Sequence, residues 1–242
     1  ISLARMSYVM QLGVPEVNIA WFLQDGAWPD EPNFQFRRLN SNYQESEISK
    51  HINLNGYTYD RISEKNLLSS NISGNKLNIG NGSYQALLVT NLKHTSPSIL
   101  RKILALADAG LKVIFIGDFP QRATGLTNFK IKDTEIVRYV EKISKLVFQL
   151  NDTQDLANTL KDLNIDPLIT LLDKDKNYFR SATRSCGSHK IIYFFNDSYE
   201  AQKKFFYLNK SLKNIKILDP FDGAIDEFSY RNFEENLTIS IE

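Results

Sequence analysis

Cysteine and histidine are scarce in this sequence, which limits its chemistry. Among 242 residues there is one cysteine, Cys186, and there are three histidines in separate segments, His51, His94 and His189. A lone thiol excludes an internal disulfide framework and a thiolate zinc cluster. Cys186 and His189 fall in a predicted tight turn, which lacks the sharp elbow that exposes a nucleophilic thiol. We therefore interpret Cys186 as an incidental free thiol, and we predict no metal site and no cofactor in this chain.

Surplus charge and long apolar runs are also missing. Lysine and arginine number 29 against 28 for aspartate and glutamate, so the net charge of +1 does not favour nucleic acid or anionic lipid. No apolar run approaches the length of a membrane span. The chain begins Ile1-Ser2-Leu3, with neither an initiator Met nor a signal sequence. We therefore expect a piece of a longer globular protein, with no nucleic-acid or membrane partner.

Residues 1–166 carry the periodicity of an α/β domain. Apolar spacing in the first twelve residues predicts a helix that is buried on one side and ended by Gly13 and Pro15. A strand over 86–90, a helix over 98–109 and a strand over 112–117 predict a right-handed βαβ unit with parallel strands. The other predicted elements are strands over 17–23 and 57–59, a helix from Ser63, a hairpin over 71–79 around Gly74-Asn75, and helices over 133–150 and 153–163.

After Pro167 the pattern changes to short strands without convincing helices. Turns at Cys186-Gly187-Ser188 and Asp222-Gly223 favour antiparallel hairpins. The predicted strands cover 179–184, 190–195, 203–208, 216–218, 224–228 and 237–241. We therefore predict two parts, an α/β domain over residues 1–166 and a β-rich portion over residues 167–242.

Three loops follow the carboxyl ends of predicted parallel strands, at the edge where open α/β sheets bind ligands. These loops carry Asp25, His94 and Asp118, which could meet there and serve a small-molecule enzyme. The alternative is structural. In that interpretation Asp118 hydrogen-bonds a turn before Pro120, and His94 is a surface residue beside the Ser96 helix cap. The structural alternative is the simpler of the two.

The segment from Asp25 to Tyr43 is predicted to be a long loop, and long loops in compact domains are often functional. It carries Trp28, Phe34 and Phe36 among carboxylates and arginines. Aromatic faces beside carboxylates suit stacking against a sugar ring, whereas the same aromatics could anchor the loop on a neighbouring domain. Anchoring is the interpretation we favour. A glycosidase needs two carboxyl groups that flank the scissile bond, and no such pair can be identified from the sequence.

Several segments stand in a recognisable order: RMSYVMQLGVPEVNI over 5–19, GYTYDRIS over 56–63, YQALLV over 84–89 with AGLKV over 109–113, IYFFN over 192–196, and LDPFDG over 218–223. Together they resemble glycoside hydrolase family 106, the α-L-rhamnosidases. The corresponding family passages include R-x-x-Y-L-L-Q-Q-G-x-P-V-A-D-I, G-Y-D-Y-D-x-I-N, I-Y-F-V-S-N and W-D-P-x-T-G. This sequence departs from them at Leu12, where the family has a second Gln, at Leu218, where Trp is usual, and at Thr183-Arg184, where His-Arg is usual.

The resemblance implies a flavodoxin-like α/β fold, similar to class I glutamine amidotransferases and to the middle domain of family 42 β-galactosidases. Such a fold has a parallel sheet with helices on both faces, here followed by the antiparallel strands of a partial β-sandwich. The resemblance also implies that residues 1–12 end a helix of a preceding catalytic barrel. That barrel would hold the glycosidase carboxylates and the calcium associated with the rhamnosidases. No catalytic residue is therefore carried over to this chain.

The resemblance thus predicts a non-catalytic structural domain of a secreted or periplasmic bacterial enzyme that acts on plant polysaccharide. Its partners would be the preceding barrel and the following β-sandwich of the same chain, with carbohydrate as a further partner. Asp25, Trp28 and Asp118 are the candidates for contact with substrate or with a neighbouring domain. The alternative is a carbohydrate-binding or oligomerisation module like the middle domain of the family 42 enzymes.

Overall fold

The structure is a computed structural model that describes residues 2–24, 47–90, 92–167, 169–172, 179–196, 204–208, 214–227, 231–233 and 236–241. The chain divides into two compact units. The α/β unit consists of Val17–Ile52 and Tyr59–Asp166, and the β-rich unit consists of Ile1–Glu16, Asn53–Thr58 and Pro167–Glu242. The sequence suggested one boundary near Pro167. In the structure, two short segments that precede this boundary also belong to the β-rich unit.

The α/β unit contains a parallel sheet whose strands are β2 (Ile19–Phe22), β3 (Tyr59–Ile62), β7 (Ala86–Thr90), β9 (Lys112–Ile116) and β11 (Phe148–Leu150). All neighbours in this sheet are parallel, and their order across it is β11-β9-β7-β2-β3. Strand β2 reads IAWF and is buried at all four positions. A continuous apolar run is typical of a strand that is covered on both faces, as the sequence predicted.

Six helices lie in the described part of the chain: α1 (Ser2–Val9), α2 (Glu47–Leu54), α3 (Glu64–Ser69), α4 (Pro97–Asp108), α5 (Phe129–Ile143) and α6 (Leu156–Asp162). The predicted βαβ unit is confirmed as β7, α4 and β9. Helix α4 begins after the N-cap Ser96, whose Oγ accepts from the Ile99 N–H at 3.4 Å. Helix α3 begins after Ser63, the predicted cap, which forms a capping box with Asn66.

Both faces of the parallel sheet are covered. On one face, Phe22, Val89 and Phe115 belong to a buried cluster that includes apolar side chains of α3, α4 and α5. The opposite face is buried as well, because Trp21 on β2 has no exposed surface. Helix α2 lies on that second face, since the Tyr59 hydroxyl donates to the Ser49 Oγ at 2.9 Å. The expectation of a parallel sheet with helices on both faces is therefore confirmed for this unit.

Some predicted boundaries and elements were wrong. The helix predicted over 133–150 ends at Ile143, and Phe148–Leu150 instead forms β11, the fifth parallel strand. The strand predicted over 57–59 lies at Tyr59–Ile62. Helix α1 is shorter than predicted and has no buried residue, although we predicted that one side would be buried.

A small antiparallel sheet of β4 (Asn71–Ser73), β5 (Lys76–Ile79) and β6 (Gly82–Tyr84) joins α3 to β7. The predicted hairpin turn at Gly74-Asn75 is confirmed, and both residues have positive φ, 56° and 61°. Two consecutive left-handed residues match the twist of a two-residue hairpin, which explains why glycine and asparagine stand there. Strand β6 extends this hairpin to three strands.

The β-rich unit consists of antiparallel sheets. One sheet has the order β1-β13-β14, with β1 (Val14–Glu16), β13 (Phe179–Cys186) and β14 (His189–Asn196). A second sheet has the order β12-β15-β19-β18, with β12 (Ile169–Leu171), β15 (Lys204–Leu208), β18 (Arg231–Phe233) and β19 (Asn236–Ile241). Strands β16 (Lys216–Leu218) and β17 (Ile225–Glu227) form a separate ribbon. The rings of Phe194 and Phe206, from the two larger sheets, pack 4.6 Å apart. The predicted antiparallel hairpin over Cys186-Gly187-Ser188 is confirmed.

Candidate functional site

The loops at the carboxyl edge of the parallel sheet are joined to each other by short strands. Strand β8 (His94–Thr95) pairs in parallel with β10 (Arg122–Ala123), so that His94 stands in register with Arg122. The Thr124 N–H donates to the Thr95 carbonyl at 3.1 Å. Asp133 of α5 accepts from the Ala123 N–H at 2.7 Å and so holds β10 from the other side. This edge is therefore a fixed layer over the ends of β7 and β9.

Asp118 lies on this edge as an exposed residue. Gly117, which precedes it, has φ +88° and donates its N–H to the Leu150 carbonyl at 2.8 Å. Phe119, which follows it, packs its ring 4.8 Å from that of Phe115 in the core. Because the turn places Phe119 inward, Asp118 is left on the surface. Asp118 therefore lacks the apolar setting in which glycosidases hold a carboxyl general acid.

The structure describes two of the three residues that we expected to meet at this edge. His94 and Asp118 both follow the ends of adjacent strands, as predicted, and both are exposed. Asp25 lies outside the described residues, and so do Trp28 and the rest of the predicted loop up to Tyr43. The suggestion that these residues stack on sugar or anchor the loop therefore remains a prediction.

A cluster around Trp21 was not anticipated from the sequence. The Trp21 Nε1–H donates to the Thr90 Oγ1 at 2.9 Å, which ties the ends of β2 and β7 together. The Tyr59 ring meets the Trp21 ring edge-on at 5.3 Å, and the Arg61 guanidinium lies 5.2 Å from the Trp21 ring centre. A fully buried tryptophan requires an acceptor for its N–H. That requirement is the signal that could have revealed the pairing of Trp21 with Thr90.

Cys186 and His189 stand directly opposite each other at the end of the β13–β14 hairpin. Cys186 is half-buried, and the exposed His189 ring shares a hydrogen bond of 3.0 Å between its Nδ1 and the Ser188 Oγ. The sequence predicted that Cys186 lies at the end of a hairpin. This position supports the interpretation of Cys186 as an incidental thiol.

The buried Tyr84 and the half-buried Asp60 form a polar pair in the α/β unit. The Tyr84 hydroxyl donates to the Asp60 Oδ2 at 3.0 Å. Burial of the phenol raises the pKa of Tyr84 well above its usual value, and the neighbouring Asp60 carboxylate raises it further. The phenol therefore stays protonated and keeps its hydrogen bond at neutral pH.

This pair should make stability depend on alkaline pH. A tyrosine whose pKa is raised by folding stabilises the folded state fully at pH values below its unfolded pKa of about 10. This stabilisation is lost as the pH rises from there through the higher pKa of the folded state. We expect Tyr84→Phe to lose about 1 kcal/mol at pH 7 and to decline less steeply than the wild type above pH 10. Urea unfolding at both pH values measures this, with Tyr8→Phe on the exposed surface as the control. Equal slopes for wild type and Tyr84→Phe would contradict it.

Two further features concern metals and membranes. Within the described ranges, no three His, Cys, Asp or Glu side chains are grouped so that they could hold a metal ion. No helix among the described residues is both long and apolar enough to cross a membrane.

Comparison with solved structures supports the fold. A rhamnosidase from Novosphingobium sp. PP1Y matches with a TM-score of 0.74 and 20% identity, over 99% of this chain and 23% of that chain. A family 42 β-galactosidase from G. stearothermophilus matches with a TM-score of 0.55 and 9% identity, over 100% of this chain and 41% of that chain. A comparison with curated protein sequences finds no match.

The family model for glycoside hydrolase family 106, described as alpha-L-rhamnosidase, matches residues 2–232. This match covers nearly the whole chain and confirms the resemblance seen in the sequence motifs. The chain spans about a quarter, 23%, of the length of the Novosphingobium rhamnosidase. The protein therefore belongs to glycoside hydrolase family 106, the family of the α-L-rhamnosidases.

Proposed function

We propose that this chain is a non-catalytic structural module of a longer bacterial glycoside hydrolase, which releases L-rhamnose from plant polysaccharide. One observation carries the proposal: 99% of this chain aligns with only 23% of a rhamnosidase chain. A segment that accounts for a quarter of an enzyme leaves room elsewhere for the catalytic domain. In this proposal the partners are a preceding catalytic barrel and a following β-sandwich of the same secreted or periplasmic protein.

The α/β unit is, in our proposal, flavodoxin-like. Numbered along the chain, its parallel strands stand in the order 2-1-3-4-5 across the sheet, which is the flavodoxin-like order. The glutamine amidotransferases share this kind of sheet, but their chemistry needs a nucleophilic cysteine at a strand-to-helix elbow. Cys186 instead ends a hairpin strand of the β-rich unit. We further propose that the two contacting sheets of that unit begin a β-sandwich, which the Phe194–Phe206 contact supports.

The chemistry of the sheet edge favours a structural role for this module. Glycosidases act with two carboxyl groups on either side of the bond, one of them a general acid in an apolar setting. Asp118 is exposed at the edge, and His94 on the same edge is exposed as well. Phe119 and the β8–β10 pair fix the backbone here, so the edge is suited to supporting a neighbouring surface.

Substitutions at the edge test the proposal in the complete protein. We expect Asp118→Ala and His94→Ala to keep kcat/KM for an aryl α-L-rhamnoside within about twofold of the wild type, because neither residue contacts the reacting atoms. A general acid or base contributes about 100-fold or more. A loss of that size in either variant, with folding unchanged by circular dichroism, would place catalysis in this module. Specific glycan binding by the 242-residue chain would instead favour a carbohydrate-binding module.

A further inference from the structure

Helix α1 carries apolar side chains on its exposed side as well as on its inner side, where the Met6 Sδ accepts from the Tyr193 hydroxyl at 3.4 Å. A helix on a protein surface normally turns its charged residues to water and its apolar residues inward. In α1 the exposed positions are Leu3, Ala4, Ser7 and Tyr8, and none of them is charged. Leu3 is 74% exposed and Tyr8 is 67% exposed. The single charged residue, Arg5, is partly buried against the turn between β16 and β17 of the same unit. The outward face of α1 therefore carries two large exposed side chains, Leu3 and Tyr8, and no charge.

The β16–β17 ribbon is also apolar where it is exposed. Leu218 and Ile225 are cross-strand partners on one face of the ribbon, and Ile225 is 63% exposed. Phe221, in the connecting turn, is 78% exposed. A two-stranded ribbon is marginal in water by itself, and exposed apolar groups in such a ribbon mark an interaction site.

Arg5 holds the helix and the ribbon next to each other. Its Nη1 donates to the Phe221 carbonyl at 2.7 Å and to the Pro220 carbonyl at 3.3 Å. Gly223, which closes the turn with φ +87°, lies so close to the Arg5 side chain that a Cβ there would be 3.1 Å from Nε. The turn is further fixed by the Asp219 Oδ1, which accepts from the Phe221 N–H at 2.6 Å. The arrangement is therefore preformed, and it presents the apolar groups of both elements.

We propose that the outward face of α1 and the β16–β17 ribbon, here called the α1–ribbon surface, bind an apolar face of a neighbouring domain of the same polypeptide. This inference rests on the proposed function, a module within a longer rhamnosidase. Both elements lie inside the family match over residues 2–232, and the related rhamnosidase has about three-quarters of its chain outside the aligned part. The segments that form the α1–ribbon surface thus lie within the family match, and the related rhamnosidase has further chain available to cover a corresponding surface.

Charge argues for a protein face rather than an anionic lipid surface. Between residues 216 and 227 there are four acidic residues, Asp219, Asp222, Asp226 and Glu227, and one basic residue, Lys216. Negatively charged headgroups would be repelled by this rim. An apolar centre within a charged rim is the usual anatomy of an interface between proteins.

Thiol accessibility tests the α1–ribbon surface. Phe221→Cys is made in a Cys186→Ser background, both in the 242-residue chain and in the complete protein as its gene encodes it, and maleimide labelling is timed. We expect rapid labelling in the 242-residue chain and labelling slowed by about tenfold or more in the complete protein, because burial blocks the thiol. Leu126→Cys in the same background is the control. Leu126 is 90% exposed in the α/β unit and should label equally in both proteins.

A second variant keeps the test sharp where Phe221→Cys disturbs folding. Leu218→Asp with Ile225→Asp should leave the melting temperature of the 242-residue chain nearly unchanged and should lower that of the complete protein. Three results would each overturn the inference. They are equal labelling of Phe221→Cys in both proteins, a dimer of the 242-residue chain that Leu218→Asp with Ile225→Asp disrupts, and a gene that encodes no further domain. Rhamnoside hydrolysis is assayed separately, so a catalytic 242-residue chain would contradict the proposed function without deciding the labelling result.

Discussion

Gly13→Ala is expected to destabilise the β-rich unit by about 3 kcal/mol or more, a large effect for the addition of one methyl group. Gly13 has φ +62°, where any other residue is strained by about 1 kcal/mol. The larger part of the effect comes from contact. A Cβ at this position would overlap the Ser185 carbonyl oxygen and approach the Cys186 Sγ to 2.5 Å. Neither strand can move freely, because β1 and β13 are paired in this region.

Gly187→Ala is the matched control for this prediction. Gly187 belongs to the same unit, has φ +63°, and has open space where a Cβ would lie. It therefore carries the same backbone strain without the overlap and should cost only about 1 kcal/mol. Urea unfolding followed by circular dichroism measures both variants. Equal losses in the two variants would show that backbone strain alone explains the requirement for glycine at position 13.

Side chains from β13 and β14 explain why the chain passes so close to Gly13. The Arg184 guanidinium donates to the carbonyls of Leu12 and Gly13, the latter at 2.9 Å from Nη2. The Lys190 Nζ lies 2.8 Å from the Glu16 carboxylate. A polar network therefore joins the segment after α1 to a hairpin about 170 residues later. Gly13 is required by this contact as well as by the end of the helix.

Trp21→Ala is expected to cost about 3–5 kcal/mol, the range for removal of a large aromatic side chain from a close-packed core. Trp21 is completely buried on β2, between two parallel neighbours. Its removal leaves a cavity against Tyr59 and leaves the Thr90 hydroxyl without its donor. The site cannot collapse easily, because the backbone on both sides is held by ladder hydrogen bonds.

Leu126→Ala in the same unit provides the comparison for Trp21→Ala. Leu126 is almost fully exposed, so its truncation should change the free energy of unfolding by less than about 0.5 kcal/mol. Thermal unfolding of both variants, together with Trp21→Phe, measures the difference. Trp21→Phe retains much of the volume and should fall between the other two. A Trp21→Ala variant as stable as the wild type would mean that β2 does not form the centre of this unit.

The βαβ unit could be predicted nearly residue by residue because its information is local. Ser96 and Pro97 begin α4, and Gly110 follows its end. The strands on either side have five residues each, of which four are apolar. Strand β11 could not be predicted in the same way. Its residues continue the apolar periodicity of α5, and only pairing with the hydrogen-bonding edge of β9 makes a strand favourable there. Tertiary pairing therefore decided the structure where local preference favoured a helix.

The candidate site shows the same limit. That His94 and Asp118 follow adjacent parallel strands could be predicted from strand order. Their exposure could not, because it depends on Phe119 turning into the core and on the pairing of β8 with β10. The exposed apolar face of α1 was also missed. The apolar spacing predicted one buried side, whereas no residue of α1 is fully buried and Leu3 and Tyr8 are exposed.

The central claim is that this family 106 chain does not itself carry the glycosidase reaction. The most direct test is hydrolysis of an aryl α-L-rhamnoside by the purified 242-residue chain, with circular dichroism to show that the protein is folded. We predict no release of the aryl group above the uncatalysed background at any protein concentration. Release that increases in proportion to the concentration of the folded chain, and that saturates with substrate, would contradict the claim.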